Sequence, residues 1–209
     1  MSGAFFLTFE GIDGCGKSTQ AARLEKCLRG LQLPVTHTFE PGGTPLGRKL
    51  RTILVHDELN LSLFAEVLLF AADRRQDIDE VIHPALQRGD IVIAERFADS
   101  SIAYQGVAGN VGKEVVEHLM EIVTGGLTPD LTLLLDIDPR VSLARKTTLD
   151  RIEQRGQFLE IVRSAFLDMA KSQPHRWVVI DAARPAAAVF ADVRETVLRR
   201  MNEGRYDHV

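Results

Sequence analysis

Phe9-Glu-Gly-Ile-Asp-Gly-Cys-Gly-Lys-Ser-Thr-Gln20 follows directly on the apolar, strand-prone run Ala4-Phe-Phe-Leu-Thr8. Gly11, Gly16, Lys17 and Ser18 occupy the four defining positions of the pattern G-x-x-x-x-G-K-[ST]. Glycines let the backbone turn tightly and bring its N–H groups against phosphate oxygens, an approach a Cβ would obstruct. Lys17 supplies a point charge for β and γ phosphates and Ser18 a hydroxyl for Mg²⁺. The helix that starts here aims the positive end of its dipole at the same anion. A glycine-rich turn without a ligand is the alternative; a strand before and a helix after are the context that favours phosphate. The stretch is read as a nucleoside triphosphate site.

Further strand-like runs cover 34–39, 90–94, 131–136 and 177–181, after a first at 5–9. Helical patterns separate them at 17–29, 46–55, 61–87, 113–123, 139–146, 158–171 and 185–202, with a kink or break expected at Pro84. Alternating strands and helices predict a three-layer α/β fold, a five-stranded mostly parallel sheet flanked by helices. Ile91-Val-Ile-Ala94 and Leu131-Thr-Leu-Leu-Leu135 are nearly continuous in apolar residues, as strands buried on both faces are. Residues 1–209 read as one domain, with the polar, charge-rich stretch of about 147–157 as a short lid.

Bulk properties exclude several classes. The net charge of −4 gives no broad attraction to a nucleic acid polymer. No apolar run of about 18 residues and no basic-then-apolar leader occurs, so the reading is cytoplasmic, with neither membrane span nor signal peptide. Cys15 and Cys27 form no C-x-x-C pair, and the six histidines are scattered without metal-ligand spacing. None of the three asparagines is followed by lysine, which argues against an N-K-x-D guanine-binding GTPase.

In an α/β sheet, ligands collect beyond the carboxyl ends of the strands. There lie Glu40-Pro-Gly-Gly-Thr44, a turn that on its own is equally a plain Pro-Gly turn, and Glu95-Arg-Phe-Ala-Asp-Ser-Ser-Ile-Ala-Tyr-Gln105. Glu95 is suited to hold a magnesium water shell and Arg96 to clamp a phosphate; a surface ion pair is the bland reading of the two. Phe70 and Arg74 lie four apart on one helical face, where a ring can stack on a base and a guanidinium bond its edge. On pattern alone Phe70 is more often core and Arg74 more often solvated.

Together with "VIHPALQRGDIVI", "GGLTPDLTLLLD" and "LDRIE", these segments resemble, in order and over nearly the whole chain, the thymidylate kinase family of P-loop nucleoside monophosphate kinases. The resemblance implies ATP- and Mg²⁺-dependent phosphorylation of dTMP to dTDP in deoxythymidine triphosphate synthesis, by a homodimer. Alternatives are a kinase for another nucleoside monophosphate and a catalytically weakened nucleotide-binding homologue. It further implies that Gly11, Asp13, Gly14, Cys15, Gly16, Lys17, Ser18, Thr19 and Arg145 bind the nucleotide, and that Ser18 and Glu95 serve the metal. Asp13, Phe70, Arg74, Arg96, Ser100, Ser101, Tyr104 and Gln105 would hold dTMP; Lys17, Glu95, Arg96 and Arg151 would carry catalysis. The chain departs from the family pattern in having Phe39 where an arginine is usual, Glu95-Arg96-Phe97 in place of D-R-Y, Val107-Ala-Gly-Asn110 where an arginine usually follows Gly106, and a shorter lid with fewer arginines.

Overall fold

The computed structural model describes residues 3–56, 59–145 and 156–203. Five strands, β1 (Phe5–Glu10), β2 (Val35–Phe39), β3 (Ile91–Glu95), β4 (Leu131–Asp136) and β5 (Trp177–Asp181), form one sheet in the order β2-β3-β1-β4-β5. Every pairing is parallel, so the expected mostly parallel sheet is wholly so. β1 is central, with Leu7 level with Ile93 on one side and Leu131 on the other. Its alternation serves two layers. Phe6 packs with Ile78, Ile82 and Ala85 and meets the Phe97 ring edge-on at 5.1 Å. Leu7 and Phe9 belong to the larger cluster that takes in Ala21, Leu24 and Leu28 of α1 (Lys17–Gly30).

α2 (Pro45–Arg51) and α3 (Leu63–Asp77) follow β2, each capped by a side chain: Thr44 Oγ accepts from the Gly47 N–H, Ser62 Oγ from that of Ala65. The break expected at Pro84 falls earlier. α3 widens into a π-helical turn over Ile78–Ile82, and α4 (His83–Gln87) begins anew with Pro84 in its first turn. A proline ring clashes with the carbonyl four residues back and donates no bond to it, so the wider turn ahead of it relieves both conflicts. Likewise the helix expected over 46–55 is α-helical only to Arg51 and continues as a π turn over Thr52–His56. One helical segment has no counterpart in the sequence reading: α5 (Ala98–Ser101), extended as a π-helical stretch over Ile102–Ala108. α6 (Lys113–Thr124), α7 (Pro139–Ala144), α8 (Gly156–Ser172) and α9 (Ala186–Glu203) complete the layers. The expected lid lies almost entirely outside the described residues.

The turn after β2 tolerates almost no added atom. A Cβ on Gly43 would fall on Thr38 Oγ1 and 2.5 Å from Asp77 Oδ1, two buried groups already hydrogen-bonded at 2.7 Å. Gly43→Ala is therefore expected to cost about 1–3 kcal/mol in urea unfolding; an unchanged midpoint would show that this turn yields.

Candidate active site

The loop between β1 and α1 is shaped by glycines that admit no substitute. Gly11 has φ 134°, and a Cβ there would sit 2.7 Å from the Leu135 carbonyl oxygen of β4. Gly14 has φ 77°, and its Cβ would meet the Ser142 carbonyl at 2.8 Å. The Ser142 hydroxyl donates to the Asp13 carbonyl, tying the loop to α7. Gly16 precedes α1 without a side-chain cap, so the first-turn N–H groups remain for an anion. Lys17 Nζ donates to the Gly11 and Ile12 carbonyls at 2.8 and 3.0 Å. Its ammonium thus rests in the hollow of the loop, where a phosphate would exchange those carbonyls for stronger acceptors.

Beyond the strand ends the predicted acceptor residues come together. Asp13, Phe70, Arg74, Arg96, Ser100, Ser101, Tyr104 and Gln105 all line one cavity, joined by Glu40, Pro41, Arg51 and Val55. Arg96 is its pivot. At φ 71° it holds a left-handed conformation that is costly for a side chain with a Cβ. Its Nη2 pairs with Asp13 Oδ1 at 2.5 Å, its Nη1 donates to Ser100 Oγ at 3.1 Å, and its guanidinium lies over the Tyr104 ring at 5.0 Å. Burial works against its charge, but Asp13, Tyr104 and Glu10 hold its pKa well above the ordinary value. The fully buried Glu10 explains how the strained turn persists: one carboxylate oxygen accepts the Phe97 N–H at 2.8 Å, the other the Ser100 hydroxyl at 2.6 Å. Nothing in the sequence marked Glu10 beyond its place at a strand end.

Arg74 is not the solvated side chain that its pattern suggests; it is 1% exposed. Its Nε donates to Glu40 Oε2 at 2.8 Å, Nη2 to the Phe97 carbonyl at 2.8 Å, and Nη1 to Ser101 Oγ at 2.9 Å and Met120 Sδ at 2.7 Å. A thioether is a weak acceptor, so that last bond is the one a ligand on this edge would displace at least cost. Phe70 is partly exposed on the cavity wall, available to a flat ring. Gln105 is held by Glu66 at 2.9 Å. Arg51, on the same wall, donates to the Pro41 carbonyl at 2.8 Å and stacks over Phe39 at 5.9 Å. It therefore stands beside Phe39, the position where the family resemblance leads to the expectation of an arginine.

A second cavity, lined by Gly14, Cys15, Gly16, Thr19 and Arg145 together with the turn after β5 (Ala182–Ala186), lies on the other side of the loop. Arg145 donates to the Ala182 and Ala183 carbonyls at 3.1 and 3.2 Å. Lys17 and Ser18 instead share a third hollow with Asp13, Phe39, Glu40, Arg51, Glu95 and Arg96, which adjoins the first. Gly11 lines none of the three; its part is to let the loop close against β4. Arg151 lies outside the described residues.

Ser18 Oγ donates to Glu95 Oε2. Burial opposes the charge of Glu95, but bonds from His37 and Ser18 and the charges of His37 and Lys17 keep its pKa below the ordinary range. One hydroxyl and one ionised carboxylate are oxygen donors that suit Mg²⁺, which keeps several waters and takes its remaining ligands from phosphates. Among the described residues, no group of three or more His, Cys, Asp or Glu side chains is arranged to hold a metal unaided.

The comparisons decide what this arrangement belongs to. The family model described as thymidylate kinase matches residues 9–193. The chain belongs to the thymidylate kinase family. A thymidylate kinase from Deinococcus radiodurans is 44% identical over 204 residues, 96% of this chain and 99% of that one. One from Leifsonia xyli subsp. xyli is 45% identical over 194 residues, 90% and 92% of the two chains. The crystal structure of thymidylate kinase from Ehrlichia chaffeensis superposes with a TM-score of 0.76 at 34% identity, covering 93% of this chain and 99% of that one. The fold is thus that of a P-loop kinase, as expected.

Four buried carboxyls give the thymidylate kinase site a distinctive acid–base profile. Burial raises Glu40 to about 8, Glu10 to about 7, and Asp73 and Asp77 to about 6 each. One oxygen each of Glu40, Asp73 and Asp77 has no hydrogen-bond partner among the described residues. A carboxyl raised on folding adds stability that is complete below its unfolded pKa and is lost as pH climbs through its folded one. His37, also raised, acts in the same sense. The melting temperature is expected to fall from pH 5 to pH 8.5, less steeply in Asp77→Asn; a profile that rises over this window would refute the reading.

Proposed function

We infer that the chain transfers the γ-phosphoryl group of ATP to dTMP, yielding ADP and dTDP. The observation that carries this is the convergence of all eight predicted acceptor residues on one cavity whose pivot, Arg96, is paired with Asp13 of the phosphate loop. In the reaction an oxygen of the dTMP phosphate forms a bond to the γ-phosphorus as the bond to the β–γ bridging oxygen breaks, with the electron pair leaving on ADP. Near pH 7 a phosphomonoester is largely dianionic, so no general base is needed. The protein's work is alignment and charge neutralisation.

Lys17 moves its donors from the loop carbonyls to the transferring phosphates, and Arg96 receives the acceptor phosphate. Phe70 stacks on thymine, while Arg74, Ser100, Ser101 and Gln105 bond the base and sugar and Tyr104 fills the space beside the sugar. Arg145 walls the nucleotide side of the loop, and the family resemblance assigns Arg151 to the transferring group. Ser18 and Glu95 would hold Mg²⁺, which would supply charge neutralisation to the nucleotide phosphates. Arg51 takes up the acceptor-phosphate role of the arginine that Phe39 replaces. For a homodimer, the supporting feature is α3, which presents Phe64 and Leu68, four apart on one face, and Leu63 at its start, each nearly half exposed. No helix among the described residues is long and apolar enough to cross a membrane.

ADP release measured across dTMP, dUMP, UMP, dCMP, AMP and dGMP is expected to show a strong preference for dTMP, and Lys17→Ala to abolish turnover with the fold intact. Silence with dTMP, or near wild-type turnover in Lys17→Ala, would sink the assignment. Arg51→Ala is expected to lower dTMP efficiency by about 10- to 100-fold, the worth of one charged hydrogen bond. Phe39→Arg should bring little gain; a large one would mean that Arg51 does not fill the role.

A further inference from the structure

His37 stands on β2 with its ring between two carboxylates. Nδ1 is 3.0 Å from Glu25 Oε2 of α1, and Nε2 is 3.1 Å from Glu95 Oε1 at the end of β3. The parallel register sets His37 level with Ile93, two residues before Glu95 and so on the same face of the sheet. The ring is 18% exposed, Glu95 13% and Glu25 27%. Arg29 closes the outer end of the row, donating to Glu25 Oε1 at 3.1 Å. At the inner end Glu95 offers its other oxygen, Oε2, to Ser18.

A glutamate arm turns about three bonds, and this one shares its hollow with Lys17, Arg51 and Arg96. Left unheld, its carboxylate could swing onto any of those cations and leave the Ser18 side. His37 forbids this by fixing Oε1, so that Oε2 alone faces Ser18. The ring's Nε2 lies within hydrogen-bond reach of Glu95 Oε1, and the contact of Nδ1 with Glu25 sets the plane of the ring.

We propose that His37 is a positioning residue for the metal-facing carboxylate: it aims Glu95 at the Mg²⁺–phosphate position beside Ser18, with Glu25 orienting its ring. This rests on the reading of Glu95 given under the proposed function. An outer partner of this kind is worth on the order of 10-fold in metal affinity.

The test compares the wild-type enzyme with His37→Phe, His37→Gln, Glu25→Gln and Glu95→Gln. Two quantities are read: the Mg²⁺ concentration for half-maximal turnover at saturating ATP and dTMP, and the calorimetric affinity for ADP with and without Mg²⁺. His37→Phe is expected to raise the Mg²⁺ requirement about 10-fold and to shrink the gain in ADP affinity that Mg²⁺ confers. The metal-free ADP affinity and the KM for dTMP should stay within about twofold. His37→Gln, whose amide can still donate to Glu95, should recover most of the loss, and Glu25→Gln should show a smaller shift of the same kind. If His37→Phe does not fold, the Glu25→Gln shift decides. An unaltered Mg²⁺ requirement in the folded variants, while Glu95→Gln changes it, overturns the role of His37 alone. An unaltered requirement in Glu95→Gln overturns the metal-facing reading and this proposal with it. Equal losses in metal-free ADP binding and dTMP binding would also overturn it, since they mark a general distortion.

Discussion

At the end of the central strand, Glu10 is cut off from water and spends both carboxylate oxygens on the turn that follows β3. A buried carboxylate is costly unless bonded, and here the bonding groups are the Phe97 N–H and the Ser100 hydroxyl. That exchange fixes the start of α5 and keeps Arg96 in a conformation it would not choose alone. From that conformation the guanidinium reaches back to Asp13, whose carbonyl is in turn bonded by Ser142. The phosphate loop, the acceptor cavity and the β4 side of the sheet are thereby fixed relative to one another through one chain of polar contacts. The inside of such a network strengthens each bond and makes each missing one expensive.

The second buried network has a different purpose. Arg74 engages Glu40, Ser101 and Phe97, so α3, the turn after β2 and the β3–α5 turn converge on one guanidinium. Asp73 and Asp77 add two further carboxyls on the same side, which accept from the Gly42 N–H and the Thr38 hydroxyl. The floor of the acceptor cavity is thus tied together by hydrogen bonds, with one oxygen each of Glu40, Asp73 and Asp77 left over among the described residues. Its mouth, with Phe70, Arg51 and Phe39, carries the surfaces left over for a ligand.

Much of this was legible in the strands: β4, buried on both faces, leaves a continuous apolar run, and β5, at the sheet edge with Val179 exposed, is a short β-prone run; both begin and end where the sequence places them. The loop from Gly11 to Ser18 was legible because its spacing answers to a single geometry. Other parts depend on contacts far apart in the chain. Ala98–Ala108 has no helical stripe, yet it winds into a helix because Glu10 caps it and α6 and α8 pack on it. Gly106 is needed there because Val116 Cβ lies 3.3 Å from where a side chain would begin. Arg51 reads as an ordinary basic residue at a helix end until the fold sets it against Phe39. A lone histidine at 37 announces neither of its partners, 12 and 58 residues away.

The loop's dependence on β4 and α7 also bears on how the protein comes to exist in the cell. The Asp13 carbonyl waits for a hydroxyl 129 residues later, and Gly11 is packed against a carbonyl at position 135. At roughly 5–20 residues per second, a ribosome needs on the order of ten seconds to deliver them. Until then the loop's glycines, among the most freely moving residues of the chain, have only the local bonds from Lys17 to the Gly11 and Ile12 carbonyls to hold their shape. The nascent polypeptide therefore carries the phosphate-binding sequence from early on but gains the packing that completes its shape only when β4 and α7 dock, so a nucleotide that binds this shape favours the last steps of folding over the first.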